Sequence, residues 1–274
     1  MKSFGLTGYP LGHSLSPVIH RELFKICKMD GEYNLFEISP ENLKSEISKL
    51  TELCGFNVTI PHKIDVIPFL DELDERAALF GAVNTVKTGE KLKGYNTDCH
   101  GFLRAIKMAD IDLTGNVLLC GSGGVARMFA FEAVLAGCDL TIAVRDDDIP
   151  AANILANEIK EKLNKEAKVL NLKDVSESYN LIINGTPVGM HPHTDACVLP
   201  KEIIQKSNAV FDAIYNPEET LFIKYAKEAG LKYSNGLSML VWQAASAEEI
   251  GNDVKFSESD IQKVIETTKK ELEK

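Results

Sequence analysis

Two residues of this chain have the chemistry to hold and move a proton. Lys63 ends the stretch GFNVTIPHK, and Asp98 sits in YNTDCHGF. A carboxylate near a lysine would anchor the ammonium and tune its pKa. Asn57 and Thr59 alternate with Val58 and Ile60, so both point to one face of a strand that Pro61 stops. Two polar side chains and a lysine at one strand end can line a polar pocket; a surface strand with a solvated lysine fits the same pattern. Asp98 also has a plainer reading, because aspartate is an excellent helix N-cap and Thr97 can share that role. In GYPLGHSLSP, Ser14 and Ser16 lie between a first strand and a helix N-terminus. Their hydroxyls, with nearby amide N–H groups, can bind an oxyanion such as a carboxylate, or simply cap the helix. Gln243, in NGLSMLVWQAA, falls one turn from Met239 and Leu240 on an apolar face, where a lone amide needs a partner or a surface position.

A second group of residues suits phosphate. VLLCGSGGVARMFAFEAVLAG carries Gly121, Gly123 and Gly124 between a buried strand and a helix, with Ala126 at the third spaced position of G-x-G-x-x-G. Residues without Cβ let the backbone turn tightly and approach a pyrophosphate, which then sits on the helix N-terminus. Roughly 20 residues further on, where a dinucleotide site reads its ribose, the stretch TIAVRDDD ends a strand in Arg145, Asp146, Asp147 and Asp148. Those acids can face a ribose, or cap the helix opening at Pro150.

The elements that position these residues alternate between short apolar strands and amphipathic helices, which implies α/β with mainly parallel sheets. In the first hundred residues, strands are expected in SFGLTG, EYNLFEI, GFNVTI, GAVNTVK and KLKGYN, the last two as a hairpin with Gly89 near its turn. Helices are expected over 17–28, 41–53, 63–80 and 99–108, the first with Ser16 as N-cap and Pro17 as its first helical residue. From GNVLLCGSGG onward the pattern is helix 124–136, strand 139–144, helix 150–164, then strands near 168–172, 180–184, 209–214 and 231–234. The chain closes in two helices, GLSMLVWQAASAEEIG and SESDIQKVIETTKKELEK, the latter opening on a Ser-x-x-Asp cap signal. The glycine turn lies in mid-chain, so the first hundred residues are assigned to substrate.

Composition narrows the function classes. The 274 residues allow two modest domains, and 45% hydrophobic with 26% charged residues is ordinary for a soluble globular protein. A net charge of −10 disfavours nucleic-acid and anionic-membrane partners. No apolar run approaches the roughly 18 residues that span a bilayer, and MKSFGLTGYPLGHS does not read as a signal peptide. Six cysteines without a CxxC suggest reduced, mostly buried thiols in a cytoplasmic protein. His191 and His193 in MHPHTD lack clustered partners, so no metal is expected.

The stretches GYPLGHSLSP, NVTIPHK, GAVNTV, NTDCHGF, GSGGVAR, NGTPVGM, DAIYNPEET and NGLSMLVWQ, in this order over nearly the whole chain, resemble the shikimate dehydrogenase family. The resemblance implies reversible reduction of 3-dehydroshikimate to shikimate in aromatic amino acid biosynthesis, with a nicotinamide cofactor. It implies a substrate domain of residues 1–100 plus 237–274 and a Rossmann-like dinucleotide domain of residues 101–236, with the active site between them and the C-terminal helices returning to the first. Lys63 and Asp98 would be the catalytic pair and also touch substrate. Ser14 and Ser16 would hold the substrate carboxylate; Asn57, Thr59, Asn84 and Gln243 would bind ring hydroxyls, with Tyr215 close by. Gly121, Ser122, Gly123, Gly124 and Val125 would cradle the pyrophosphate. Thr186, Ala213, Gly236 and Met239 would lie along the cofactor toward its nicotinamide. A small-molecule substrate is the implied partner, and a homodimer is left open.

The sequence departs from the family at one place. NADP-using members commonly read Asn-Arg-Thr where this chain reads Val144, Arg145, Asp146. The arginine that pairs with a 2′-phosphate is kept, while the threonine has become an acid that repels phosphate and accepts from a free 2′-hydroxyl. NADP(H) is the family default for Arg145, and NAD(H) or dual use follows from Asp146 and Asp147. Two alternatives stand beside the main reading: an NAD-preferring quinate/shikimate dehydrogenase, and a non-catalytic ligand-binding regulator on the same scaffold.

Overall fold

A computed structural model of the chain describes residues 1–12 and 14–273. His13, inside the serine-rich motif, and Lys274 lie outside the described residues. Strands and helices follow the chain as β1 (Lys2–Gly8), α1 (Ser16–Ile26), β2 (Gly31–Glu37), α2 (Leu43–Leu50), β3 (Gly55–Val58), β4 (Glu72–Leu73), α3 (Glu75–Phe80), β5 (Thr85–Lys87), β6 (Lys93–Tyr95) and α4 (Thr97–Met108). They continue as β7 (Asn116–Cys120), α5 (Gly124–Leu135), β8 (Asp139–Val144), α6 (Ile149–Leu163), β9 (Lys168–Asn171), β10 (Leu181–Asn184), α7 (Lys201–Ile204), β11 (Ala209–Asp212), α8 (Leu221–Glu228), β12 (Lys232–Ser234), α9 (Gly236–Asn252) and α10 (Glu258–Leu272). Two compact units result, Met1–Gly101 with Leu240–Lys274, and Phe102–Met239. Their boundaries fall inside α4 and α9.

The first unit holds a six-stranded sheet in the order β2-β1-β3-β5-β6-β4. It is parallel from β2 through β3 and antiparallel across β5 and β6, with β4 again parallel to β6. The antiparallel part is the expected hairpin, pairing Thr85 with Tyr95 and Lys87 with Lys93. Phe56, Val58, Val66, Val83 and Val86 pack with α2 residues Leu43 and Leu50 on one face. The second unit is a six-stranded, all-parallel sheet in the order β12-β11-β10-β7-β8-β9. Its central strands are buried on both faces and read as continuous apolar runs, as parallel sheets require. The doubly wound α/β architecture expected for the glycine-turn half is present. Among the described residues, no helix is long and apolar enough to cross a membrane.

Several local expectations change. The helix expected over 63–80 is instead a run of turns, a 3-10 turn at Ile67–Phe69, the short strand β4 and the six-residue α3. Its apolar residues mimic a helical stripe. However, Pro68 cannot continue a helix, and Asp71 and Asp74 donate their N–H groups to the carbonyls of Leu92 and Gly94, drawing the segment onto the sheet edge. Ser16 is the first residue of α1 rather than its N-cap, and the cap position Leu15 makes no side-chain bond. Helix α8 was not expected; Thr220 caps it, its Oγ1 accepting from the Ile223 N–H at 3.3 Å. Of the six cysteines, Cys99, Cys120 and Cys138 are buried, while Cys54 is exposed. The capping box of α10 forms between Ser257 and Asp260 as its sequence requires.

Candidate functional site

Lys63 follows β3 in a turn pinned from several sides. His62, fully buried, places Nε2 2.6 Å from the Ile38 carbonyl, and its own carbonyl accepts from the Val66 N–H. The Lys63 carbonyl accepts from the Val83 N–H. The backbone being fixed, the side chain reaches across the unit, and Nζ donates to Asp98 Oδ2 at 2.6 Å. Lys63 is 31% exposed and Asp98 19%, so the pair is partly shielded from water yet open to a ligand. The ammonium has further N–H groups to offer.

Asp98 is the second residue of α4. Its other oxygen accepts from Asn84 Nδ2 at 2.9 Å. Asn84 Oδ1 accepts from the Thr97 N–H at 2.6 Å and from the Thr97 and Thr85 hydroxyls at 3.2 Å each. Asn84 thus ties the start of α4 to the carboxylate beside the lysine. Gln243, 9% exposed, finds the partners its position demands: Nε2 donates to the Leu240 carbonyl at 3.0 Å, and Oε1 accepts from Asn84 Nδ2 at 3.4 Å. Asn57 donates both amide hydrogens within the protein, to the Asn84 carbonyl at 3.3 Å and Thr85 Oγ1 at 2.9 Å. Its Oδ1 accepts from the Tyr33 hydroxyl at 2.7 Å and keeps one lone pair. Toward a ligand, Asn57 is therefore an acceptor. Burial pushes the Tyr33 phenol well above its usual pKa, which keeps it a donor. Ser14 Oγ accepts from the Ser16 N–H at 3.3 Å at the start of α1, and Thr59 continues β3 through its N–H to the Thr7 carbonyl.

The second unit builds its site at the carboxyl ends of its strands. Gly121 has φ +107°, a conformation that favours glycine, and its N–H is held by the Ala143 carbonyl. A Cβ built on Gly123 or Gly124 would meet nothing within 4 Å, so open space lies over the start of α5. Ser122, Gly123 and Gly124 border a cleft of about 230 Å³ together with Arg127, Ile154 and Leu155. Glycine N–H groups at a helix start, facing open space, fit a pyrophosphate. Val125 follows as the second residue of α5.

At the end of β10, Asn184 Oδ1 accepts from the Thr186 hydroxyl at 2.7 Å and its N–H at 3.1 Å. Asn184 Nδ2 donates to the fully buried Asp212, whose Oδ1 also accepts from the Ile214 N–H and whose Oδ2 accepts from Thr220 Oγ1 at 2.6 Å. Burial raises the Asp212 carboxyl to about 6. Asp212 thus fixes the backbone around Ala213, and Gly236 donates to the Ile214 carbonyl. A Cβ on Gly236 would lie 2.1 Å from the Ala213 carbonyl oxygen, so only glycine permits this approach. Met239 is buried, and Tyr215 is 37% exposed in the same unit.

The acids after β8 do not cap α6. Asp146–Asp148 form a 3-10 turn, and Asp148 at the cap position makes no side-chain capping bond. Asp148 Oδ2 instead accepts from Arg145 Nε at 3.1 Å and from a terminal nitrogen at 2.9 Å. Asp147 is exposed.

Sequence reasoning missed His62 and Thr85 in the first unit, read Thr97 there only as a helix cap, and missed Asn184, Asp212 and Thr220 in the second. One signal for Asp212 was present: an acid directly after the apolar run Ala209–Phe211.

Residues 6–86 match the family model described as the shikimate dehydrogenase substrate binding domain. A relative from Methanococcus maripaludis, named shikimate dehydrogenase (NADP(+)), is 42% identical, covering 93% of this chain and 92% of its own length. The shikimate 5-dehydrogenase of Thermus thermophilus, solved with NADP(H) and shikimate, superposes with a TM-score of 0.88 at 32% identity, covering 98% of this chain and 100% of that one. That of Listeria monocytogenes, solved with shikimate and NAD, gives a TM-score of 0.89 at 32% identity, covering 97% and 96%.

Proposed function

This chain belongs to the shikimate dehydrogenase family, and from that premise we propose that Lys63 and Asp98 catalyse the reversible reduction of 3-dehydroshikimate to shikimate. The observation that carries the reading is the contact of 2.6 Å between Lys63 Nζ and Asp98 Oδ2, with Asn84 bridging to the second carboxylate oxygen. A nicotinamide cofactor, when bound, supplies or takes the hydride at the carbonyl carbon. In reduction Lys63 donates a proton to the ketone oxygen as charge develops there; in oxidation it accepts the hydroxyl proton. Asp98 orients the ammonium. Ser14 and Ser16 hold the substrate carboxylate, Thr59, Asn84 and Gln243 meet ring hydroxyls, and Asn57 accepts from one. Tyr215 completes the substrate set.

Residues 1–100 with 237–274 are assigned to substrate and 101–236 to the dinucleotide. Gly121 to Val125 would hold the pyrophosphate, Arg145 the adenosine ribose, and Thr186, Ala213, Gly236 and Met239 the nicotinamide side. NADP(H) is the cofactor, as in the named Methanococcus relative; the NAD bound with shikimate in the Listeria structure and the acids after Arg145 support a second reading with NAD(H).

Absorbance at 340 nm with shikimate or quinate and each cofactor tests all of these. Turnover is expected with shikimate and NADP+, and silence in all four combinations favours the non-catalytic regulator. Lys63→Ala should lower kcat about 10³-fold with a smaller effect on KM; a variant that turned over normally would remove Lys63 from the chemistry.

A further inference from the structure

The end of β8 carries one arginine among three acids, a balance hostile to a phosphorylated ribose. Tertiary structure changes that balance. Strand β9 lies beside β8 with Asn171 in register with Val144, so the turn after β9 arrives at Asp146. The turn is locked from within: Asn171 Oδ1 accepts from the Lys173 N–H at 3.0 Å. Asn171 Nδ2 then donates to Asp146 Oδ1 at 2.5 Å, and Lys173 Nζ lies 3.0 Å from Oδ2 and 3.3 Å from Oδ1 of the same carboxylate. Both oxygens of Asp146 therefore face donors from β9 and the turn that follows it. Asp146 in turn holds the Lys173 ammonium above its usual pKa. Arg145 gives two of its N–H groups to Asp148 and, 77% exposed, has others to offer.

We propose that Lys173 is a specificity-determining residue of the dinucleotide site: by neutralising Asp146 it lets the strand end that carries Arg145 accept an adenosine bearing a 2′-phosphate. Without Lys173, Asp146 would keep only the neutral Asn171 amide as donor and stand as an uncompensated negative charge next to Arg145, repelling phosphate and accepting from a 2′-hydroxyl. The pair is solvated, with side-chain exposures of 66% and 73%, so its effect is modest and salt-dependent. The inference rests on the dinucleotide reading of this unit and is independent of the chemistry at Lys63.

The test is binding, measured by calorimetry with two probes that differ by one phosphate, adenosine 2′,5′-bisphosphate and 5′-AMP. Wild-type protein should prefer the bisphosphate, and the preference should shrink as salt rises. Lys173→Ala should lower the affinity ratio about tenfold at low salt, leaving 5′-AMP binding within about twofold. In an Asp146→Asn background the same substitution should move the ratio less than about twofold, because no carboxylate remains to neutralise. An unchanged ratio in Lys173→Ala overturns the proposal, as does a full effect in the Asp146→Asn background. Shikimate turnover by wild-type protein separates the failures: an active enzyme with an unmoved ratio overturns only the role of Lys173, whereas binding of neither nucleotide overturns the dinucleotide reading with it.

Discussion

Asp98 and Asp212 are both carboxylates inside polar networks, one in each unit, and they are built for opposite ends. Asp98 keeps a cation, Lys63, at 2.6 Å and remains 19% exposed. Asp212 is fully buried, and it accepts from neutral groups: an amide, a backbone N–H and a hydroxyl. A partly exposed cation with spare N–H groups can act on a ligand. A buried carboxylate whose oxygens are taken by its own chain holds backbone in place, and desolvation lifts its pKa to about 6. Polar network size alone does not distinguish these roles; the cation and the partial exposure do.

The comparison is broken most directly at Asp98. Asp98→Asn keeps the shape and removes the charge that orients Lys63, so kcat should fall roughly 10²-fold while Tm shifts by under about 3 °C. Equal losses in both would make Asp98 a structural residue like Asp212. Asp212→Ala should show the reverse weighting. It strands Asn184 Nδ2, the Ile214 N–H and Thr220 Oγ1, at about 1–3 kcal/mol for an unsatisfied buried group, which thermal unfolding should report as a drop of several degrees.

Asp212→Asn sharpens the contrast. The amide can still accept from Asn184 and the Ile214 N–H and can donate to Thr220 Oγ1. With a folded pKa raised from 3.8 to about 6, Asp212 contributes most to stability when protonated, and that contribution is lost as pH rises through about 6. Removing it should flatten the rise in stability that wild-type protein shows as pH falls from about 6 toward 4, measured as Tm against pH relative to the variant; parallel profiles would place the titration elsewhere. The smallest effect is expected at the surface: Asp146→Thr should raise NADP use relative to NAD only a few-fold, since the acid is solvated and already paired. A large swing in the kcat/KM ratio would mean that Asp146 faces the ribose unneutralised.

Much of the site was legible as local pattern. Gly121, Gly123 and Gly124 between a buried strand and a helix read as a tight turn under open space because backbone conformation depends on residues close in sequence. Ser14, Ser16, Asn57 and Thr59 were placed at strand and helix ends by alternation and turn chemistry, and TIAVRDDD was recognisable as a strand end rich in acids. The same local logic failed over 63–80, where apolar spacing imitates a helix and the pairing of β4 with β6 decides otherwise.

Partners distant in sequence were decided only by the fold. Asp98 reads as a helix cap until β3, β5 and α4 bring Lys63 and Asn84 to its two oxygens, and Gln243 reaches Asn84 from 159 residues away. The acids after Arg145 read as equivalent until β9 delivers Lys173 to Asp146 and leaves Asp148 to Arg145. A sequence determines which charges and glycines stand at each strand end, because that follows from periods of two and of about 3.6 residues. Which charge meets which depends on strand order and register, and those are set by packing across the whole sheet.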